Sequence, residues 1–522
     1  MTNRRQFLAA AAASVLGSGP EAAAAQQPRA ATAEPFFRVD EARLQAKYDA
    51  ALAALKANTI RINRFSEPVL IEGGPYPGVW LECAPLEGLV YGLISQPVAI
   101  ANHGIFFDFQ REDGYLPCSV KPTTVGSAQI QMVVPIAATA WELYQSTRDR
   151  EFLATAYRAC SRWDDWLVRY RNTRGLGLCE AFCEYDTGHD NSPRFKGVPK
   201  RCPNGDARIC PKVDGLPYCA PDLSATVYGG RMALARMARQ LGQAGEEARW
   251  LEAATRIQMA IRDRLYDPRD ACFYDLDSNG RFVRIRGDVL TRVLGEHVVS
   301  PELFEAIYRR HIHNPAEFWA PYPLPSIAMD DPAFVRPIPR NSWGGASQAL
   351  TALRAPRWME HYGKPAGLAH MMHQWVKAIT AAPEFLQQLD PVTGQFTPDP
   401  GPYSPACLVM MDFCWRLYGA RWEGATLEWN CRLPEGASSV HSAVATVRGI
   451  AELKTSRNAS ELRLDGRAVL RVRGTVRVLT DAAGKPLKLV GTEPAVVEIG
   501  VRWPRGRTSS FRVPPDTAIP IA

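Results

Sequence analysis

Glu184-Tyr185-Asp186-Thr187-Gly188-His189-Asp190-Asn191-Ser192-Pro193-Arg194-Phe195 sets acidic and amide side chains around an Asp-Asn-Ser-Pro turn. All four residue types of that turn favour chain reversal. Pro193 fixes its own φ and disfavours a helix running through Ser192, so the stretch reads as a stiff loop. A carboxyl that keeps its proton near neutrality needs desolvation or negative neighbours, and Glu180, Glu184 and Asp186 lie close to Asp190 in sequence. Taken alone, the stretch reads equally as an ordinary Asp-Asn-Ser-Pro turn.

On both sides of this loop, apolar residues recur at i, i+3, i+4 and i+7. The pattern predicts helices over 41–58, 129–145, 151–170, 223–241, 246–265, 301–310, 345–353, 365–381 and 404–418. Each helix has one face to bury, which suits antiparallel helix pairs. The linkers are long and rich in Pro and aromatics, as at Trp319-Ala320-Pro321-Tyr322-Pro323-Leu324-Pro325-Ser326, and such loops on a rigid scaffold carry function. No fixed repeat period is visible, which argues against a strict solenoid; a ring of divergent hairpins such as an (α/α)6 toroid tolerates that irregularity, and a mainly α region is expected over 36–419. After Gly419 the pattern changes. Alternating and β-branched residues at 427–429, 443–447, 461–464, 469–473 and 496–501 predict short strands and a small β-domain over 420–522. Its tail, with Ser509, Ser510, Pro514 and Pro515, is expected to be loosely held.

The amino terminus, Met1-Thr2-Asn3-Arg4-Arg5-Gln6-Phe7-Leu8 followed by an Ala-rich stretch to Ala25, reads as a twin-arginine export signal over 1–25. The apolar run is too short for a membrane span. The mature chain is expected in the periplasm or outside the cell, with no membrane span after the signal is removed. The net charge of +7 is spread among alternating charges without a basic tract, so nucleic-acid binding gets no support. Twelve cysteines in 522 residues are not a disulfide scaffold; Cys202 and Cys210, which bracket a Pro/Gly/Asp-rich loop, are the pair best placed to bridge, and Cys179 and Cys183 read as buried small side chains. No Cys-x2-Cys or His-Glu-x2-His set appears, and neither a metal nor a cofactor is expected. Asp275-x-Asp277-x-Asn279-Gly280 begins like a calcium loop, but its twelfth position is Arg286, and a turn between two short strands is the better reading. His370 and His373 read as packed or surface histidines.

Gly-x-Asp-Asn-Ser-Pro-Arg, at 188–194, resembles the acid-bearing loop of family 63 α-glycoside hydrolases, a branch of the six-hairpin glycosidases. Further segments follow in matching order: Gly78-Val79-Trp80-Leu81-Glu82, Gln110-Arg111-Glu112-Asp113-Gly114-Tyr115-Leu116-Pro117, Gly175-Leu176-Gly177-Leu178, Pro325-Ser326-Ile327-Ala328, Trp343-Gly344-Gly345 and Asp390-Pro391-Val392-Thr393-Gly394. The similarity covers roughly 78–418 and includes the mannosylglycerate-hydrolase-like members, with trehalases more distant. It implies an (α/α)6 barrel and an inverting hydrolysis of an α-linked glycoside or oligosaccharide. One carboxyl then protonates the leaving oxygen while another activates water across the ring.

By this resemblance Asp190 is the general acid. The family's base is a Glu four residues before the Pro of the Asp-Pro-x-Thr-Gly segment, and here that position holds Gln387. A neutral amide takes no proton from water. Glu384, three residues earlier and on the same face if the segment is helical, is one replacement; Glu82 and Asp113 are others. Trp80, Phe107, Trp319, Tyr322 and Trp343 offer rings for a pyranose face, and Glu82, Arg111, Asp113, Glu184 and Asn191 offer hydrogen bonds to hydroxyls. Glu82 stands where the family commonly has Asp. Three other functions remain open on the same barrel: a catalytically weakened carbohydrate-binding protein, a sugar phosphorylase, and an isomerase working through histidines.

Overall fold

The computed structural model describes residues 34–423 and 425–521; the twin-arginine segment lies outside them. Within this span there are twelve α-helices. Those predicted by periodicity form as α1 (Ala42–Ala57), α4 (Ile136–Thr147), α5 (Arg150–Tyr170), α6 (Pro221–Gln240), α7 (Ala244–Leu265), α9 (Pro301–Ile307), α10 (Ala349–Met359), α11 (Pro365–Ala381) and α12 (Ser404–Tyr418). Two of them start later than the pattern suggested. Residues 129–135 are irregular, with Gln131 left-handed at φ 45°, and end at Pro135, and 345–348 include a short strand, so neither stretch is helical.

Three helices had no amphipathic signature: α2 (Ala84–Tyr91), α3 (Gln96–Asp108) and α8 (Val289–Gly295). In α8 every residue is buried, including Thr291 and Arg292, and α2 buries Glu87 with its apolar neighbours. A helix buried on all sides shows no stripe, and its sequence loses the 3.6-residue period.

α2, α4, α6, α8, α10 and α12 contact one another in that order, and α12 returns to α2, closing an inner ring. α3 packs outside α2, α5 outside α4, α7 outside α6, α11 outside α10 and α1 outside α12. Phe304 of α9 stacks on Tyr362 at 4.0 Å and meets Trp358 of α10 at 6.3 Å. This arrangement is consistent with the six-hairpin toroid. The long connections run from an outer helix to the next inner one, so they gather at one end of the ring. No helix of the described residues is long and apolar enough to cross a membrane.

The carboxy-terminal region forms two antiparallel sheets. The larger has the order Phe36–Val39, Ser439–Thr446, Gly449–Ser456, Ser460–Leu464, Arg467–Arg473, Val497–Arg502, Thr508–Val513. The smaller has Ala420–Glu423, Thr426–Cys431, Val476–Asp481, Pro486–Val490, Ala518–Pro520. Ser509 and Ser510 are therefore held in a ladder with Val501 and Gly500, contrary to the loose tail expected from their composition. Phe36–Val39 precedes the helices in sequence but pairs with Ser439–Thr446 in register Phe36↔Ala443. Its buried Phe37 packs on Tyr48 of α1 at 4.7 Å and on Trp415 of α12 at 5.9 Å, and Trp415 Nε1 donates to the Tyr48 hydroxyl at 2.9 Å. Arg477 reaches Glu360 in the α10–α11 turn at 2.8 Å, and the Ala366 amide at the start of α11 donates to Asp516. The β-region thus docks on the end of the ring opposite the long loops.

Phe37→Ala removes the ring that joins this strand to α1 and α12. It should cost about 3–5 kcal/mol, read as a lowered midpoint in chemical denaturation.

Candidate active site

The loop carrying Asp190 is built around Asp186. Its buried carboxylate receives both Arg171 Nη atoms, at 2.5 and 3.0 Å, and the backbone amides of Ile130, Phe182 and Cys183 at 2.8, 2.7 and 3.1 Å. These five donors fold Glu184–Thr187 into a 3-10 turn. Gly188 then takes a left-handed φ of 63°, where a Cβ would collide with the Glu82 carboxylate. After Asn191, itself left-handed at φ 56°, Ser192 Oγ caps a second 3-10 turn by accepting from the Arg194 amide.

Asp186 and Glu180 therefore do not act as the negative neighbours expected of them. Asp186 is neutralised by Arg171. Glu180 is committed to the Thr173 amide and hydroxyl and the Arg174 amide. Of these three acids it is Glu184, which accepts from the Asn191 amide, that adds negative charge beside Asp190. Burial pushes the Asp190 carboxyl up to about 6, opposed by a hydrogen bond from Asn341 and assisted by Glu184.

The floor under the loop is an ionic network. Arg194 bridges Asp222 at 2.8 Å and Asp275 at 2.6 Å, and His189 joins it to Asp288. Arg292 and Arg354 lie on the faces of Trp343, at 5.0 and 5.6 Å, and both also face Asp288. The Trp343 amide in turn donates to the Asp190 carbonyl at 3.0 Å. Asp275, thereby bound to Arg194, opens the first of two short paired strands, Asp275–Leu276 and Phe282–Val283, with a turn between them. Sequence reading missed this network. Its one signal was charge inside apolar helical runs, as at Arg292 and Arg354, because such residues are rarely fully buried unless paired.

Asn341 ties Asp190 to Gln387. Its Nδ2 donates to Asp190 Oδ2 at 3.0 Å, its Oδ1 accepts from Gln387 Nε2 at 3.0 Å, and Gln387 Oε1 accepts from the Tyr76 hydroxyl at 3.1 Å. Asn191 Nδ2 also reaches the Asn341 carbonyl, and Lys200 holds the Asn191 side-chain oxygen at 2.9 Å. Glu82 stands beside this chain. Burial and the Asp190 charge raise its carboxyl to about 7, while Arg292 and Arg354 pull the other way and Gln131 hydrogen-bonds it. Behind it, Glu72 accepts from the Tyr403 hydroxyl at 2.8 Å, and fully buried Glu87 is raised to about 8 by desolvation. Trp80 completes the wall, packing against Cys83 and Trp343.

Several expected contributors lie elsewhere. Glu384 is exposed and near Lys47, and α11 ends at Ala381, so Glu384 and Gln387 share no helical face. Arg111 and Asp113 pair with each other at 3.0 Å over Tyr115 and Trp166, on the outer helix α5. Phe107 belongs to the outer helix α3. Trp319 stacks between His313 and His370, also outside the ring, while His373 bonds the Ala369 carbonyl. Tyr322 packs on Gly394 and holds the Pro391 carbonyl. The thiol facing Cys202 is Cys183, 3.7 Å away, not Cys210, which bonds the neighbouring Pro211 carbonyl. Cys183, Asp186 and Cys202 have the proximity of metal ligands, but Arg171 and three amides already occupy Asp186.

A ring of helix pairs with a buried carboxyl loop at one end is an architecture that glycoside hydrolases use, and a family match places this chain among them. The sequence profile of the mannosylglycerate hydrolase MGH1-like glycoside hydrolase domain matches residues 93–415, more than half of the chain, and the protein belongs to that family. No curated protein matches the chain. Among solved structures, the family 63 mannosylglycerate hydrolase of Thermus thermophilus in complex with Tris superposes with a TM-score of 0.60 at 17% identity, covering 70% of this chain and 99% of that one. The neutral trehalase of Saccharomyces cerevisiae gives 0.54 at 12% identity over 68% and 76%. A structure described as a sialidase gives 0.61 at 15% identity over 89% of this chain and 44% of that one. At these identities the superpositions establish the fold alone.

Removing Arg171 leaves the Asp186 carboxylate buried without its charge partner. Arg171→Ala should cost about 3–5 kcal/mol in unfolding experiments, and more than a surface change such as Arg256→Ala, which should stay within about 0.5 kcal/mol.

Proposed function

We propose that the protein is an exported, inverting glycoside hydrolase acting on an α-linked glycoside, with Asp190 as general acid. The observation that carries this reading is the Asp190–Asn341–Gln387–Tyr76 chain beside Glu82. It holds one carboxyl of raised affinity for its proton next to the position that bears the family's base. Asn341 donates to Oδ2, which leaves Oδ1 free to carry the proton to a glycosidic oxygen. Gln387 Oε1 has a second lone pair that can orient water, but it accepts no proton.

Glu82 supplies the base in this account. Its carboxyl, near 7, is partly ionised at neutral pH and suited to accept a proton there. Arg292, whose Nη2 is buried and has no hydrogen-bond partner among the described residues, is placed to donate to the substrate. Trp80 offers a half-buried ring. The second reading, a binding protein with an inherited site, is favoured by Gln387 alone.

Hydrolysis of α-linked disaccharides and aryl α-glycosides tests the assignment. Asp190→Asn should lower kcat about 10²–10⁴-fold on substrates with poor leaving groups and much less on activated aryl glycosides. Equal turnover by parent and Asp190→Asn on the disaccharides would remove Asp190 from the mechanism. No turnover on any substrate, with sugar binding retained, would favour the binding protein.

The acid must be protonated and the base ionised, and the two carboxyls titrate near 6 and 7. Activity should therefore rise with pH up to about 6 and fall above about 7. In Glu82→Gln the residual activity should be lower and flat on the acidic side.

Gln387→Glu presents only acceptors to Asn341. The amide should then turn its Nδ2 toward position 387 and its Oδ1 toward Asp190. Asp190 would donate instead of accept, and the alkaline limb should move to higher pH, together with a gain in kcat from the added base. An unchanged limb would contradict the hydrogen-bond chain.

A further inference from the structure

The positive charge that looks dispersed in the sequence is concentrated by the fold. Residues 420–522 hold sixteen Lys and Arg against ten Asp and Glu, a net +6 of the whole chain's +7. The seven-stranded sheet buries one face, through Leu453, Leu462, Val472, Ile499 and Val501, and turns the alternate positions outward. On that outer face, register sets Arg471 directly opposite Arg502 and places Arg473 opposite Gly500. The hairpin turn leaving Arg502 adds exposed Arg505 and Arg507.

Like charges directly across an antiparallel pair destabilise it. Neighbouring cations elsewhere on this sheet are matched, with Arg512 on Glu498 at 3.1 Å and Lys454 on Glu452 at 2.9 Å. Arg471, Arg473 and Arg502 make no ion pair among the described residues. Gly500 leaves the space beside Arg473 open, and the Arg473 side chain lies across it, 3.6 Å from where a Cβ would stand. Beyond Gly500 the row continues to the exposed Ser510. On its other side Arg471 faces Glu461, which bounds the row, and Glu498, held by Arg512, flanks Gly500; between these acids Arg471, Arg473 and Arg502, with Arg505 and Arg507 in the turn, form a shallow basic track with hydroxyls along its edge.

We propose that this track binds an anionic polysaccharide, a glycan bearing carboxylate or sulfate groups on successive residues. Guanidinium groups pair such anions through two parallel hydrogen bonds, and a row of them suits a chain of repeated charges. The other polyanions fit less well. The strands of the track carry no exposed aromatic ring on which a nucleobase could stack, the exposed Phe36 lying at the far edge of the sheet. The exposed large apolar side chain nearest the track is the single Val496, too little to enter a bilayer. The choice of a glycan also rests on the glycosidase reading: the track lies in the β-region, at the end of the ring away from the site, where a polymer can be held while its glycosidic ends are cleaved.

Retention of the mature protein on immobilised polygalacturonate and heparin tests this without reference to turnover, so its outcome is separate from that of the hydrolase reading. Dextran, duplex DNA and phosphatidylglycerol–phosphatidylcholine vesicles serve as comparators. Both acidic glycans should bind and release as salt rises, and dextran should not bind. The triple variant Arg471→Gln/Arg473→Gln/Arg502→Gln should weaken binding about tenfold or more. Arg239→Gln/Arg249→Gln/Arg256→Gln, which removes equal charge from the helical ring, should change it little. Because the substitution relieves repulsion, the first triple variant should melt no lower than the parent. The proposal is overturned if neither glycan is retained, if the two triple variants lose binding equally, or if DNA or vesicles bind more tightly than the glycans.

Discussion

A carboxylate taken out of water must be met by donors, and the Asp186–Arg171 pair with its three amides is the constraint around which the site is arranged. Because all the acceptor capacity of Asp186 is used, the chain from Phe182 to Thr187 has one course. That course delivers Gly188 against Glu82, and Asp190 to the Asn341–Gln387 chain. The same loop is closed from below by Arg194, whose two carboxylates come from the start of α6 and from the hairpin before α8. Buried charge here fixes geometry more than it adds stability, since a paired charge in the interior roughly offsets its own desolvation.

The two carboxyls that matter differ in how they are held. Asp190 has one donor among the described residues, Asn341, and a negative neighbour, Glu184, and burial lifts its carboxyl to about 6. Glu82 faces two arginines and still titrates above its usual range, because burial and the Asp190 charge outweigh them. The buried carboxyls of Glu72 and Glu87, both raised by desolvation, lie behind it. Gln387 and Glu82 reach Asp190 by different routes, the amide by way of Asn341 and the carboxyl through its charge.

Outer helices such as α5 and α7 were legible because each exposes one face and buries the other. α2 and α8 were not, because each is short and buried nearly all round, so no apolar stripe repeats along it; the longer inner helices α4, α6, α10 and α12 kept their period, and the outer α3 carried none. Asp190, Glu184, Asn191, Trp80, Glu82 and Trp343 come together as their motif segments suggested. Arg111, Asp113, Phe107 and Trp319 do not, because their segments pass the outer helices before reaching the ring's mouth. Asn341, Tyr76 and Gln131 carried no motif, and only the tertiary course of three separate loops brings them to the carboxyls. Likewise, the arginine track on the β-sheet depends on cross-strand register, which linear charge spacing does not express.

The stereochemical course of hydrolysis tests the central claim most directly. Proton NMR of the anomeric region during cleavage of an α-glycoside should show the β-anomer of the released sugar first, with the α-anomer growing in only by mutarotation. Initial release of the α-anomer would contradict the account, because it requires a covalent intermediate on a carboxylate close to Asp190 in place of water delivered from the Gln387 and Glu82 side.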